Sequence, residues 1–144
     1  MKKTLFFLII ALFSMSISAQ ENSLAKDSTM FKGYLYNQKY NVYIILDLYH
    51  KNVTVPQQEI YGVLPGYFGD KQDGRKWLFT NATIKGKTAE LQIINDYGSE
   101  DLTATLTAIN DSTYILRQIN GSTIKIARNR KWVKMPKELN FIKR

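Results

Sequence analysis

The 144-residue sequence contains no cysteine and only one histidine, His50. Without cysteine, the chain can form no disulfide scaffold, thiolate zinc site, iron–sulfur cluster or cysteine nucleophile. A single histidine excludes metal sites and proton relays that need several histidines. These absences remove many classes of enzyme, and we therefore expect a protein without catalytic activity, metal or cofactor.

The remaining catalytic residue types form no recognisable motif. No serine lies in the strand-to-helix context of a nucleophile elbow, and His50 stands at a predicted strand end, where a surface position is expected. The carboxylates of Asp47, Glu59 and Glu90 show no spacing that favours glycoside hydrolysis. The acidic segments 69–74 and 95–101 lack the alternate-position ligands of a calcium loop, so we predict plain turns there.

An uncharged apolar run at Thr4–Phe13 is too short for a transmembrane helix, which needs about 20 residues. It follows the basic residues Lys2 and Lys3 and precedes small residues that end at Ala19, the arrangement of a secretory signal peptide. We predict a signal peptide at 1–19, a flexible leader at 20–30 and a single domain at 31–144. The mature protein is then exported, to the periplasm or the cell exterior, without a transmembrane anchor.

The sequence after residue 30 also lacks a helical stripe. Short runs of Tyr, Ile, Val, Leu and Thr alternate with Gly, Asn and Asp, which is an all-β pattern. We predict nine strands, near Phe31–Asn37, Asn41–Tyr49, Val53–Pro56, Ile60–Phe68, Lys76–Lys85, Thr88–Ile94, Asp101–Ile109, Thr113–Ile119 and Ser122–Arg128.

Three dipeptides have the composition of tight hairpin turns: Gly86-Lys87, Asn110-Asp111 and, most strongly, Asn120-Gly121. The first turn predicts that Thr80 opposes Ile93. It places Leu78, Thr80, Ala82, Ile84, Ala89, Leu91 and Ile93 on one face, with Phe79 on the other. The third turn predicts that Arg117 opposes Ile124 and Ile115 opposes Ile126, which places Arg117 on an apolar face.

These features predict a single antiparallel up-and-down meander of about eight strands, closed into a barrel or flattened, because closure removes the exposed strand edges. The strand rhythm of Phe31–Arg128 resembles that of small exported lipocalin-like and avidin-like barrels of bacteria, including Bacteroidetes. The opening Phe31-Lys32-Gly33-Tyr34-Leu35 departs from the Gly-x-Trp of lipocalins, because it has Tyr34 one place early and no tryptophan. No ligand residues follow from the resemblance.

Aromatic residues and one arginine are the candidates for a ligand site. Tyrosines are concentrated between residues 34 and 67, and they could line a site or simply pack in strands. Arg117, with its apolar predicted neighbours, could anchor an anionic ligand or extend from a barrel rim. The candidate ligand-binding residues are Tyr34, Tyr36, Tyr43, Tyr61, Tyr67, Trp77 and Arg117.

Positive charge is concentrated in the last quarter of the chain. Ser112–Arg144 contains nine basic residues and one acidic residue, Glu138, and the basic residues surround Trp132. Such a surface suits acidic glycans, lipopolysaccharide or an acidic protein better than nucleic acid in an exported protein, although it could also serve solubility. The candidate basic surface consists of Lys125, Arg128, Arg130, Lys131, Lys134 and Lys137.

Two functional hypotheses follow from these observations. The first is a non-enzymatic exported barrel that binds a small hydrophobic or glycan-like ligand in its interior. The alternative is a periplasmic or secreted interaction module, of the inhibitor or immunity type, that binds a protein through its Tyr-rich or basic surface. Two short Asp-Ser-Thr segments, at 27–29 and 111–113, also resemble O-glycosylation acceptors of exported Bacteroidetes proteins.

Overall fold

Eight antiparallel strands close into a barrel in a computed structural model, which describes residues 29–144. Going round the barrel, the strands are β1 (Lys32–Asn37), β2 (Val42–Asp47), β5 (Gly66–Asp70), β6 (Lys76–Lys85), β7 (Thr88–Asn95), β8 (Asp101–Ala108), β9 (Thr113–Gly121) and β12 (Glu138–Lys143), and β12 pairs with β1. Successive barrel strands are neighbours, so the prediction of a closed all-β up-and-down barrel is confirmed. Phe31–Arg144 forms one compact unit, whereas the predicted signal peptide and residues 20–28 of the leader lie outside the described residues.

The described residues contain twelve strands and one short 3₁₀ turn, Glu59–Tyr61. Four strands form two small pairs beside the barrel, β3 (Val53–Thr54) with β4 (Val63–Leu64) and β10 (Lys125–Arg128) with β11 (Lys131–Lys134).

Large apolar side chains fill the barrel interior. Alternate residues point inward along each strand, so a period of two places the apolar set on one face. The alternation is clearest in β8, where Leu102, Ala104, Leu106 and Ala108 are buried. Inward side chains from around the barrel are almost completely buried, including Leu35, Ile44, Phe68, Phe79, Leu91, Leu106, Leu116 and Phe141.

A β-bulge at Thr80 changes the predicted face of β6. The hairpin through Gly86-Lys87 has the predicted register from Lys85–Thr88 to Ala82–Leu91, but the register then shifts between Phe79 and Asn81. Phe79 therefore opposes Ile93 and points into the barrel, whereas Thr80 is exposed. The predicted placement of Thr80 and Leu78 on the inner face is wrong, because one extra residue reverses the alternation.

Two of the three predicted hairpin connections are present. Besides the β6–β7 turn, residues 109–112 connect β8 to β9, where the Asn110 side chain accepts hydrogen bonds from the backbone N–H groups of Ser112 and Thr113. That side-chain acceptor mimics a backbone turn and explains the Asn at this position.

The predicted hairpin at Asn120-Gly121 is wrong. β9 continues through Gly121, which pairs with Leu102 of β8. β10 pairs with β11, and the other neighbour of β9 is β12. The sequence analysis predicted neither β11 nor β12. The tight turn with two positive φ angles is instead Asn129-Arg130, between β10 and β11.

Gly121 is required by a close backbone approach, and its replacement tests the extended β9. It has a φ of 94°, and a Cβ there would lie 2.5 Å from the Asp101 carbonyl oxygen and 2.9 Å from Leu102 Cα. We expect Gly121→Ala to lower the free energy of unfolding by about 2 kcal/mol or more. Gly86→Ala is the control, because Gly86 also has a positive φ but no atom within 4 Å of its Cβ position. Urea unfolding of both variants checks the order, and equal losses would contradict the close approach.

The connections between the strands lie at two ends of the barrel, which we call the upper and the lower end. The upper end has the connections 38–41, 71–75, 96–100 and 122–137, and the lower end has 48–65, 86–87 and 109–112. The connection 48–65 also covers part of the outer wall, where Val55, Leu64, Tyr67 and Leu78 form a second small core. No helix in residues 29–144 is long and apolar enough to cross a membrane.

Candidate functional site: a cleft at the upper end

The β10–β11 hairpin lies across the upper end of the barrel. Ile124, Ile126 and Met135, in and beside the hairpin, are buried. The indole N–H of Trp77 donates to the Lys125 carbonyl at 3.2 Å, which joins the hairpin to β6 inside the barrel. The hairpin therefore closes the upper end with apolar side chains that complete the interior core.

Arg128 joins the hairpin to the barrel wall. Its guanidinium makes two hydrogen bonds to the Asp70 carboxylate, at 2.5 and 2.9 Å, and a third to the Tyr40 carbonyl at 2.8 Å. The Asp70 side chain is only 4% exposed. The neighbouring carboxylate raises the pKa of Arg128 and outweighs the opposing effect of burial. Two parallel bonds fix the orientation of both groups, so the hairpin is held in a defined position.

A cleft of about 240 Å³ opens between this hairpin and the connections 71–75 and 96–100. We call it the upper cleft. Its walls combine three aromatic rings with cationic, acidic and amide side chains: Arg75, Lys76, Trp77, Asn95, Asp96, Tyr97, Ser99, Glu100, Lys125 and Trp132.

Two aromatic side chains at the upper cleft are unusually exposed. Trp132 is 60% exposed and Tyr97 is 76% exposed. The guanidinium of Arg75 lies 4.8 Å from the centre of the Trp132 ring, a cation–π distance that orients the indole. Exposed aromatic rings beside a cleft are typical of surfaces that bind a flat apolar face.

The polar groups of the cleft are held by hydrogen bonds. Asn95 accepts from the backbone N–H groups of Ser99 and Glu100, which fixes the connection 96–100. Glu100 pairs with Lys125 at 2.8 Å. One carboxylate oxygen of Asp96 accepts from the Lys76 backbone N–H, and the other has no partner among residues 29–144. The cleft thus offers a free acceptor in addition to its aromatic rings.

Four candidate tyrosines lie on the outer wall of the barrel. Tyr34 stacks on Tyr43 with ring centres 5.5 Å apart, and Tyr43 meets Tyr67 edge to face. Tyr36 contacts the cations Lys71 and Arg144. Burial, together with the neighbouring Tyr43 and Tyr34, raises the pKa of Tyr67. Tyr34, Tyr36 and Tyr43 are partly exposed and form an outer aromatic surface, whereas Tyr67 is buried in the small core outside the barrel wall.

The other candidate aromatics lie near the upper cleft. Trp77 points inward beneath the hairpin and forms part of the cleft wall. Tyr61 donates its hydroxyl hydrogen to the Asp96 carbonyl at 3.3 Å, so it supports the connection that carries Tyr97. Two of the predicted aromatics are therefore brought to one place by the fold.

The prediction that Arg117 lies on an apolar face is wrong. β9 pairs with β12, so Arg117 opposes Glu138 and points outward. The two side chains form an ion pair at 2.6 Å and are 55% and 54% exposed. The predicted neighbour Ile124 instead lies beside Gln118, whose side-chain oxygen accepts from the Ile124 backbone N–H.

The candidate basic surface separates into paired and unpaired cations. Lys125 and Arg128 are neutralised by Glu100 and Asp70. Arg130, Lys131, Lys134 and Lys137 are exposed, and the part of the chain from residue 29 onward provides them with no carboxylate within 4.0 Å. Net positive charge therefore accumulates on and beside the hairpin.

His50 belongs to a turn at the lower end. Its ring nitrogen lies 2.9 Å from an Asp47 carboxylate oxygen, and the backbone N–H groups of Tyr49 and His50 donate to the same carboxylate. Burial raises the pKa of Asp47, but these hydrogen bonds outweigh burial and hold it below its usual value. Residues 29–144 contain no cluster of three or more His, Asp or Glu side chains that could hold a metal ion.

Tyr97, Asp96 and Trp132 are absent from the ligand-binding residues predicted from the sequence. An available signal was the aromatic residue within the polar segment Asn95–Asp101, where a tyrosine has no strand to pack in. Trp132 was visible among the cations of the last quarter. The distance between these two residues in the sequence concealed their common cleft, which depends on how the hairpin crosses the barrel.

Comparison with known proteins identifies no relative. No protein-family model, curated protein or solved structure matches this chain. The geometry of the barrel and of the upper cleft therefore carries the functional argument.

Proposed function

We propose that the protein is an exported, non-enzymatic β-barrel module that binds a glycan-like ligand at the upper cleft. The observation that carries this proposal is the pair of exposed rings, Trp132 and Tyr97, in one cleft with polar groups that hydrogen bonds hold in place. A sugar ring has an apolar C–H face and a polar hydroxyl edge, so it needs an aromatic platform beside hydrogen-bonding groups.

The polar groups suit a saccharide. The free Asp96 oxygen accepts a hydroxyl hydrogen, and the Glu100–Lys125 pair offers both an acceptor and a donor in fixed positions. Hydrogen bonds to charged groups are stronger than neutral ones, so a few such contacts give orientation and specificity. The packed interior favours this outer location over the barrel interior, where large apolar side chains occupy the space.

Replacement of Trp132 by alanine tests the proposal. We expect wild-type mature protein, residues 20–144, to bind members of an array of purified oligosaccharides, and Trp132→Ala to weaken that binding about tenfold or more. Trp132→Phe retains an aromatic face and should retain most of the affinity. Ile109→Ala is the matched control, because Ile109 is an exposed apolar residue at the lower end.

An array without a wild-type hit would contradict the glycan proposal, as would equal binding by Trp132→Ala. Either result would favour the alternative, an interaction module that binds an exported protein. That alternative is supported by the outer aromatic surface, where Tyr36 lies between Lys71, 4.9 Å from its ring centre, and Arg144, 4.2 Å from it.

A further inference from the structure

The β10–β11 hairpin places like charges directly opposite one another. In its register Lys125 opposes Lys134, and Arg128 opposes Lys131. Like charges at opposite positions of an antiparallel pair are destabilising. The turn between the strands adds a fifth cation, Arg130, whose φ of 63° is in the left-handed region.

The barrel neutralises only one member of each pair. Glu100 neutralises Lys125, and Asp70 neutralises Arg128. The opposing cations, Lys134 and Lys131, are exposed, and no carboxylate of the described residues lies within 4.0 Å of either. Two cations of the hairpin, Lys131 and Lys134, thus have no counter-charge among the described residues, and the hairpin borders the cleft that the exposed Trp132 lines.

The alternation of the strands places Lys134 on the hairpin face that carries two residues of the upper cleft, while Lys134 itself lines a neighbouring cleft with residues 118–123. Lys125, Trp132 and Lys134 point to the same face of the hairpin, because Lys125 opposes Lys134 and Trp132 is two residues from Lys134. Lys125 and Trp132 both line the upper cleft. An anionic group bound at Lys134 would lie on the hairpin face that carries the indole ring, and it would supply the counter-charge that Lys134 lacks among the described residues.

We propose that the ligand of the upper cleft is an acidic saccharide, whose carboxylate or sulfate group binds at Lys134 while a sugar ring stacks on Trp132. This inference rests on the proposed function, because it specifies the chemistry of the same ligand. Of the cleft carboxylates, Glu100 is paired with Lys125, and Asp96 accepts a hydrogen bond from the Lys76 backbone N–H.

Three polymers with one backbone separate charge from sugar recognition: neutral dextran, carboxymethyl dextran and dextran sulfate. We expect immobilised mature protein to bind at least one charged dextran about tenfold more tightly than neutral dextran, as a charge-assisted contact predicts. The comparison of the two charged polymers shows whether a carboxylate or a sulfate is preferred. Binding should weaken with added salt.

Lys134→Gln removes the proposed contact with little change in size. We expect it to weaken binding of the preferred charged dextran about tenfold and to reduce the dependence on salt. Lys87→Gln is the matched control, because Lys87 lies in the exposed β6–β7 turn at the lower end and its replacement changes the net charge equally. It should leave the affinity unchanged.

Several results would overturn the inference. Equal losses in Lys134→Gln and Lys87→Gln would show attraction by net charge alone. Failure of both charged dextrans to bind more tightly than dextran would also overturn it. If an array saccharide still depended on Trp132 in that case, the proposed function would stand with a neutral ligand. If no saccharide depended on Trp132, both proposals would fail.

Discussion

Replacement of Arg128 by methionine is expected to lower the free energy of unfolding by about 3–5 kcal/mol, because it leaves the buried Asp70 carboxylate without its counter-charge. The Asp70 side chain is 4% exposed, and its two carboxylate oxygens accept hydrogen bonds from the two terminal nitrogens of Arg128. Urea unfolding of the mature protein, followed by far-UV circular dichroism, measures the loss.

Arg117→Met is the matched control for this prediction. Arg117 and Glu138 also form a close pair, in which Nε and Nη2 approach one carboxylate oxygen, but both side chains are more than half exposed. Exposed pairs contribute about 0–1 kcal/mol, so we expect a small effect. The double replacement of Arg128 by Met and Asp70 by Leu should recover much of the first loss, since removing both charges leaves no buried unpaired charge. A cost for Arg128→Met as small as that for Arg117→Met would show that Asp70 is solvated.

Phe79→Ala is expected to lower the free energy of unfolding by about 3–5 kcal/mol, the range for removal of a large aromatic side chain from a core. Phe79 is completely buried, and it pairs with Ile93 on the neighbouring strand β7. Removal of the ring leaves a cavity in the core and reduces the apolar area that folding buries. Equilibrium unfolding in urea measures this change.

Thr80→Ala is the control for the Phe79 variant and tests the bulge directly. Thr80 is exposed, so we expect a change within about 0.5 kcal/mol. A β6 strand without the bulge would reverse the two results, because Thr80 would then point inward and Phe79 outward. A larger loss for Thr80→Ala than for Phe79→Ala would therefore contradict the register of the barrel wall.

The sequence pattern was sufficient for the bounds of β6, the buried face of β8 and the turn between β6 and β7. β6 has the predicted bounds, Lys76–Lys85, and alternation in β8 identifies its buried face without any tertiary information. The turn at Gly86-Lys87 fixes the register up to Ala82–Leu91. Such short-range features are local, so residues close in sequence determine them.

The bulge at Thr80 and the strand pairing after Gly121 could not be predicted from local sequence. An Asn-Gly dipeptide is a strong hairpin signal, but here Gly121 is selected by its close approach to Asp101 and Leu102 on the neighbouring strand. The true hairpin turn, Asn129-Arg130, carries no glycine. Its two residues have the positive φ angles that a two-residue hairpin turn requires, and the adjacent Arg128 joins the hairpin to Asp70.

The candidate site was predicted in composition and not in position. The sequence shows the concentration of cations around Trp132. Trp77 and Lys125, which line the upper cleft, were among the candidate residues predicted from it. The partners Asp96, Tyr97 and Glu100 are 25 to 36 residues away from Lys125 or Trp132, and no local pattern links them. These residues come together because the barrel places the connections 71–75 and 96–100 next to the β10–β11 hairpin.

The sequence by itself determined the all-β class, the up-and-down barrel and the clustering of charge in the last quarter, because these depend on composition, alternation and short turns. Only the tertiary structure decided which tyrosines point outward, how Arg117 is neutralised and where Trp132 meets Tyr97. Those features depend on register and on a hairpin that crosses the barrel end. Since a shift of one residue in a strand exchanges its two faces, a small difference in register separates a buried arginine from an exposed ion pair.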